Sequence, residues 1–522
     1  MSEMKITYST VLTDESVHHR FETALKSVAE GLGKRHPLKI NGKNVFATSE
    51  FSVYSPIDTS LLIGTFQVGE DVHTEAAIAA AKTAFPPWSG HDWERRTRIL
   101  RKVSDLLEER MFSLAALVTT EVGKTREESI AEISETIDLL RYHAEVYKQQ
   151  LGYTLPMRPD PEGGTVRSVM RPYGVWAVIS PFNFPVSLAA GMISAALLTG
   201  NTVVMKPTSK APLSGLLLYR VFVDGGVPAD ALQFLTGPGE PFGSRVAGHP
   251  DVAGIAFTGS RDAGMWLYRN FSREQPYPKP LIAEMGSKNP AIVTLHADLK
   301  KATEGIIRSA FGYSGQKCSA TSRVYVHAAV ADSFLEGLRK KVQEITVGNP
   351  RDKEVFMGPV IDKNALDIFQ EAVESCRKSG GKVLQGGKVL TGKQYSRGFY
   401  MEPTLVTGLP SDHPLVFKEL FVPFLIIETF ERIQDALVRA NATDYGLTAG
   451  IYTENDEERE YFFKHIHSGV CYANRKGGAT TGAWPGSQPF GGWKGSGSTG
   501  KGIGGPYYLL SYLREQAQTR VG

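Results

Sequence analysis

From Gly174 to Met205 the chain reads GVWAVISPFNFPVSLAAGMISAALLTGNTVVM, its longest stretch without a charged residue. Such a run must leave water, either in a bilayer or inside a protein. Pro181 and Pro185, with Asn183 between them, would break a spanning helix, so no membrane span is expected. What remains is strand, turn, helix and strand, buried together in a parallel sheet covered on both faces. The rhythm continues, with strands expected at 175–179, 202–205, 231–235, 254–258 and 281–283 and helices at 186–198, 212–225, 242–248 and 262–271. In such a sheet ligands sit beyond the carboxyl ends of the strands.

A second α/β rhythm runs from 289 to 473, with strands expected at 291–293, 324–326, 424–429 and 450–452. The length of 522 residues exceeds what one hydrophobic core holds, which suits two such units. Upstream, helices are expected at 72–85, 93–121 and 126–149, and residues 1–50 read as a mobile or surface-wrapping arm ending in a strand at 38–45. The Pro-, Gly- and charge-rich segment 151–171 reads as a linker or as a hairpin that meets a partner subunit.

Several classes are excluded early. Lys and Arg total 58 against 55 Asp and Glu, a net charge of +3 that leaves no electrostatic footprint for nucleic acid. Three scattered cysteines, Cys318, Cys376 and Cys471, suit neither a disulfide framework nor a metal site, so no metal and a reducing cytoplasm are expected. The first twenty residues lack the basic start and apolar block of a secretory signal. Gly495 to Gly500, GSGSTG, has the spacing of a dinucleotide fingerprint and, with Lys501, nearly that of a P-loop. It lacks the preceding strand and following helix that either needs, and reads as a flexible loop.

Chemistry concentrates in Phe311 to Ser322, FGYSGQKCSATS, where small and polar residues leave the Cys318 thiol reachable as a nucleophile. Three other stretches match it. Asn183, in SPFNFP, offers a neutral amide donor that with a backbone N–H beside Cys318 would hold an oxyanion. Glu284 ends a strand in AEMGSKNP and would activate water near an acyl-enzyme. Lys206 ends TVVMK and would donate to ribose hydroxyls, while FTGS, Phe257 to Ser260, opens a helix suited to a phosphate.

In the order SPFNFP, KPT, FTGS, EMGSKNP, GQKCSA, KELFVPF and NATDYGLTAGIYT, these strings resemble the aldehyde dehydrogenase superfamily from about Leu38 to the end. The resemblance implies an α/β fold of two doubly wound parallel-sheet domains with a small β bridging and oligomerisation element. It implies a NAD(P)-binding domain at 1–151 and 172–286, a catalytic domain at 287–476, and a bridging arm with a substrate anchor loop at 152–171 and 477–522. It also implies that Cys318 attacks the aldehyde carbon, that Asn183 and the Cys318 N–H hold the oxyanion, and that Glu284 activates the hydrolytic water. By the same carry-over Ser180, Lys206, Ser209, Gly239, Gly259, Ser260 and Gly264 meet the cofactor, and Glu419 with Phe421 holds the nicotinamide ribose.

The loop from Asn474 to Gly492, NRKGGATTGAWPGSQPFGG, and the ending SGSTGKGIGGPYYL resemble the pyrroline-5-carboxylate dehydrogenases. That implies oxidation of L-glutamate γ-semialdehyde to L-glutamate. Ser319, Gly482 and Ala483 would grip its α-carboxylate, Phe184 and Phe490 would flank its stem, and Glu128 would meet its ammonium group. Lys317 is expected to raise the local positive potential and favour thiolate. Ser209 stands where many NAD-preferring relatives place an acid, so NADP is expected to be tolerated beside NAD. Ser287, Val422, Trp484 and Pro485 also depart from the family pattern. The alternatives are a dehydrogenase of another semialdehyde or of an aliphatic or aromatic aldehyde, and a non-catalytic binding protein on the same fold. The hairpin at 151–171 and the apolar tail at 507–513 would be poor solitary surfaces, so a homodimer or a multiple of dimers is expected.

Overall fold

The uncharged run of the sequence lies at the centre of a seven-stranded sheet. In the computed structural model, which describes residues 6–8, 10, 12–478 and 484–521, its strands stand in the spatial order Leu281–Glu284, Val252–Thr258, Val175–Ile179, Thr202–Lys206, Leu232–Phe234, Leu38–Ile40 and Lys43–Val45. The first five are parallel and the last two are added antiparallel at one edge. Chain order reverses direction between Val175–Ile179 and Val252–Thr258, which makes their carboxyl ends the topological switch point where ligands bind. A second seven-stranded sheet runs Lys382–Gln385, Thr404–Thr407, Phe424–Phe430, Thr321–His327, Asn289–Val293, Thr448–Tyr452 and Val470–Ala473, parallel except at its first strand. Its strand Thr321–His327 begins just after Cys318.

Helix Arg126–Gln149 has the bounds its pattern predicts and is capped by Thr125, whose side chain accepts from the Glu128 N–H. Residues 93–121 instead divide at Arg110 into Trp93–Glu109 and Met111–Val122. The arm expected at 1–50 contains a helix, Glu15–Gly31, capped by Asp14 and buried through Val17, Phe21 and Ala24. Those apolar residues recur at helical spacing, and they turn an expected surface arm into part of the core. Segment 151–171 does form a hairpin, Thr154–Pro156 with Thr165–Pro172, completed by Leu513–Arg520 as a third antiparallel strand. The tail ahead of that strand differs from expectation: Tyr508, Leu509 and Tyr512 are buried against Trp176 and the main core, and only Tyr507 stays exposed. Its apolar residues are therefore already covered within the chain. No helix among the described residues is long and apolar enough to cross a membrane.

The glycine-dense segment after Trp493 is also better fixed than a flexible loop. Met285 N–H donates to the Ser496 carbonyl at 2.8 Å, Ala283 N–H to Ser498 Oγ at 2.9 Å, and Ser498 N–H to the Ala283 carbonyl at 3.0 Å. These bonds stitch it along the outer edge of Leu281–Glu284.

Two buried carboxylates set the helices of the first sheet. Glu121 accepts from the Leu213 and Ser214 N–H groups, both at 2.8 Å, at the start of Pro212–Asp224. Glu132 accepts from Val186 at 2.8 Å and Ser187 at 3.1 Å, at the start of Ser187–Leu198, and pairs through its other oxygen with Lys124 at 2.6 Å. Both side chains of that pair are wholly buried. Replacing Glu132 by Ala strands the Lys124 charge and leaves two N–H groups without an acceptor, a loss of about 3–5 kcal/mol expected in chemical denaturation. A loss below about 1 kcal/mol would show that the pair carries no such burden.

Candidate active site

Cys318 follows a backbone held in an unusual conformation. Tyr313, Ser314 and Gly315 all have positive φ, at 48°, 55° and 69°. For the two residues with side chains this is costly, and it persists because partners over-determine it. Tyr313 hydroxyl donates to the Val122 carbonyl and Ser314 hydroxyl to the Gly358 carbonyl, both at 2.8 Å. Gln316 Oε1 accepts from Ile361 N–H at 2.8 Å. A Cβ on Gly315 would lie 2.6 Å from the Val422 carbonyl oxygen, so glycine is required there both for φ and for space. After the cysteine, Asn289 Nδ2 donates to the Cys318 carbonyl at 2.7 Å and to the Ala320 carbonyl at 2.9 Å.

Cys318 lines three adjoining cavities. The largest, about 490 Å³, opens at the switch point and is lined by Ser180, Asn183, Lys206, Gly259, Ser260 and Glu419. Ser209, Gly239 and Phe421 line it as well. These groups suit a dinucleotide. Lys206 is buried with its ammonium donating to the Pro207 carbonyl at 3.0 Å, and burial lowers it to about 8, as expected of a lysine short of oxygen partners. Ser260 caps helix Arg261–Glu274, whose first amides suit an anion. Gly264 does not line the cavity. A Cβ there would lie 2.5 Å from Met285 Sδ, so its part is to let that helix settle onto the sheet rather than to touch a ligand.

Asn183 Nδ2 donates to the Gln316 carbonyl at 3.0 Å, which brings the amide to the cysteine loop. An amide has two N–H donors, and the second remains for the cavity that Asn183 and Cys318 both line. Glu419 Oε1 accepts from Ser287 N–H at 2.6 Å, and burial raises its carboxyl to about 7. Glu284 shares a small cavity with Cys318, where its Oε2 accepts from Gly492 N–H at 3.1 Å. Its Oε1 is buried with no hydrogen-bond partner among the described residues, and burial raises the carboxyl to about 8. Burial, followed by the charges of Glu419 and Glu284, pushes the Cys318 thiol up to about 12.

The third cavity is lined by Ser319, Phe184 and Phe490 together with Glu135, Leu139 and Ile503. Glu128, expected beside the substrate, does not line it. Its Oε1 accepts from Lys317 at 2.6 Å, in a pair whose lysine is wholly buried. That pairing corrects two expectations at once, because it occupies Glu128 and absorbs the positive charge expected to help the thiol. The carboxylate that does face the cavity is Glu135, two turns further along the same helix, which burial raises to about 7. Helical spacing alone puts Glu128, Glu132 and Glu135 on one stripe, and that stripe was the signal for it. Gly482 and Ala483 lie outside the described residues.

Residues 45–517 match the model of the aldehyde dehydrogenase family. A protein of Geobacillus sp. (strain WCH70) named 1-pyrroline-5-carboxylate dehydrogenase is 36% identical over 98% of this chain and 97% of its own length. One of Bacillus subtilis (strain 168), named 1-pyrroline-5-carboxylate dehydrogenase 2, is 35% identical over 97% of this chain and 96% of its own. The crystal structure of a Thermus 1-pyrroline-5-carboxylate dehydrogenase with bound NAD superposes with a TM-score of 0.93, at 33% identity and full coverage of both chains. With a reachable thiol between a dinucleotide-shaped cavity and a buried carboxylate, and with a family match over nearly its whole length, this chain belongs to the aldehyde dehydrogenase family.

Proposed function

We propose that the chain oxidises L-glutamate γ-semialdehyde to L-glutamate with NAD, and tolerates NADP. The observation that carries this reading is the third cavity. Apolar walls from Phe184, Phe490, Leu139 and Ile503 suit an aliphatic stem, and Glu135 offers a carboxylate to an ammonium group near Cys318 and Ser319. The names of the relatives support the same substrate. In this reading residues 1–151 and 172–286 form the cofactor domain, 287–476 the catalytic domain, and 152–171 with 477–522 the bridging arm.

Cys318 is neutral at rest, so its attack on the aldehyde carbon needs a proton acceptor at hand. Glu284 is the one carboxylate among the described residues lining the small cavity beside the thiol. The oxyanion of the thiohemiacetal accepts from Asn183 Nδ2 and the Cys318 N–H, with the Asn183 side chain itself buried. Lys206, Ser180, Glu419 and the amides after Ser260 would hold the nicotinamide cofactor, which would accept the hydride as the thiohemiacetal becomes a thioester on the sulfur. After passing the thiol proton to solvent, Glu284 takes a proton from the water that attacks the thioester; the C–S bond breaks, the sulfur leaves as thiolate and glutamate is released.

Because Glu284 sits at about 8, its basic form grows as pH rises through that value. Turnover is expected to climb with a midpoint near there. Glu284→Gln should remove the limb, lower kcat by about 10²–10⁴-fold and slow the first burst of reduced cofactor as well, since the same carboxylate serves both steps. An unchanged kcat in that variant would remove Glu284 from the mechanism.

Ser209 lines the cofactor cavity with its hydroxyl donated to the Gly237 carbonyl at 2.6 Å, and Glu419 is the one carboxylate among the described lining residues. No acid there repels a 2′-phosphate. Steady-state kinetics should give kcat/KM with NADP above about one hundredth of that with NAD, and a smaller ratio would refute tolerance. In the same assay, glutamate semialdehyde should exceed propanal and succinate semialdehyde in kcat/KM.

A homodimer or a multiple of dimers completes the reading. The hairpin leaves Leu151, Leu155 and Met157 exposed, a surface suited to a second copy.

A further inference from the structure

Tyr8 is far in sequence from every motif of the site, yet it reaches it. Tyr8 is 5% exposed and belongs to a small apolar cluster with Ala131 and Phe184, against which Leu188 and Trp484 pack. Its ring meets Phe184 edge-on at 6.0 Å and Trp484 at 6.4 Å. Phe184 lines the cavity beside Cys318, and Trp484 borders the loop that precedes Phe490. Arg308 donates to the Tyr8 carbonyl at 3.0 Å, and His18 Nε2 lies 3.1 Å from the Leu12 carbonyl, so Tyr8 and Leu12 are each held by a side chain from another element.

The Tyr8 hydroxyl donates to Glu135 Oε2. Burial, with the charges of Glu135 and Glu132, raises the phenol well above its ordinary range, so it stays protonated and acts only as donor. Glu135 lines the cavity and Tyr8 does not. A carboxylate on a helix turns about its side-chain bonds, and a rigid phenol with two torsions is a low-entropy way to stop it.

We propose that Tyr8 is a positioning and specificity-determining residue, whose hydroxyl fixes the Glu135 carboxylate toward the ammonium group of an amino-aldehyde substrate. This rests on the substrate reading given above. Two physical effects follow. Orientation is held before substrate arrives, so binding does not have to order the carboxylate. The donated hydrogen bond also favours the charged form of Glu135, together with Lys124 and Lys317 and against burial and Glu132. An aldehyde without an ammonium group gains from neither.

The test is kinetics of the full chain carrying Tyr8→Phe, which keeps the ring and its packing, with Glu135→Gln and the double variant beside it. For glutamate semialdehyde, Tyr8→Phe should raise KM by about five- to twentyfold with kcat within about twofold, equivalent to one hydrogen bond to a charged group. For succinate semialdehyde, which keeps the carboxylate and lacks the ammonium group, kcat/KM should hold within about twofold, and this doubles as the control for folding. The acid limb of kcat/KM for the amino substrate should move to higher pH. Adding Tyr8→Phe to Glu135→Gln should cost nothing more, because one acts through the other. Equal losses on both aldehydes, or none on either, would overturn the role of Tyr8. A loss in Glu135→Gln without one in Tyr8→Phe would overturn it while sparing the substrate reading. An unaltered preference in Glu135→Gln would overturn the ammonium reading itself and the Tyr8 proposal with it.

Discussion

Taking an ammonium and a carboxylate fully out of water costs several kcal/mol per ion, and Lys124 with Glu132 meets that cost only through complete pairing. Glu132 accepts from Lys124 with one oxygen and from the first amides of Ser187–Leu198 with the other. Lys124 in turn lies 3.5 Å from the centroid of the Phe184 ring and 5.2 Å from that of Tyr313. One ion pair thus joins the helix carrying the acids, the turn carrying Asn183 and the loop leading to Cys318. The oxyanion donor and the nucleophile come from different sheets, and this pair fixes their mutual position.

Around that anchor the site is rich in acids and poor in water. Glu284 is raised to about 8, Glu419 and Glu135 to about 7, and the thiol to about 12, each chiefly by burial. Carboxyls raised in this way hold their charge weakly near neutral pH. Ligands that bring hydroxyls, amides or cations supply the partners that each group lacks, which makes ionisation a response to binding. Lys317 supports the charged form of Glu135, while its pairing with Glu128 leaves the thiol without its help.

What the sequence made legible was the part carried by contiguous strings. Asn183, Glu284, Cys318, Lys206 and Glu419 each sit in a short motif at a strand end, and parallel sheets bring strand ends together. The rest depended on facing surfaces. Glu128 and Glu135 share a helix stripe, and only the packing of that stripe decides which of them meets Lys317 and which meets the cavity. Gly264 entered the cofactor set through the family resemblance, whereas Met285 beneath it explains the missing side chain. Helix Glu15–Gly31 carried an Asp14 cap and a regular apolar face, yet its place in the core depended on partners far along the chain. Tyr8 offered no local signal at all.

The stitching of residues 492–498 onto Leu281–Glu284 bears on how the enzyme is made. Those bonds cover what would otherwise be an open sheet edge, a template for unwanted strand pairing. The same segment supplies the amide that restrains Glu284. On a ribosome Cys318 emerges long before Gly492 does, so a partly synthesised chain carries its nucleophile without a settled base and its sheet without a closed border. Reactivity and protection from aggregation thus arrive together, and late.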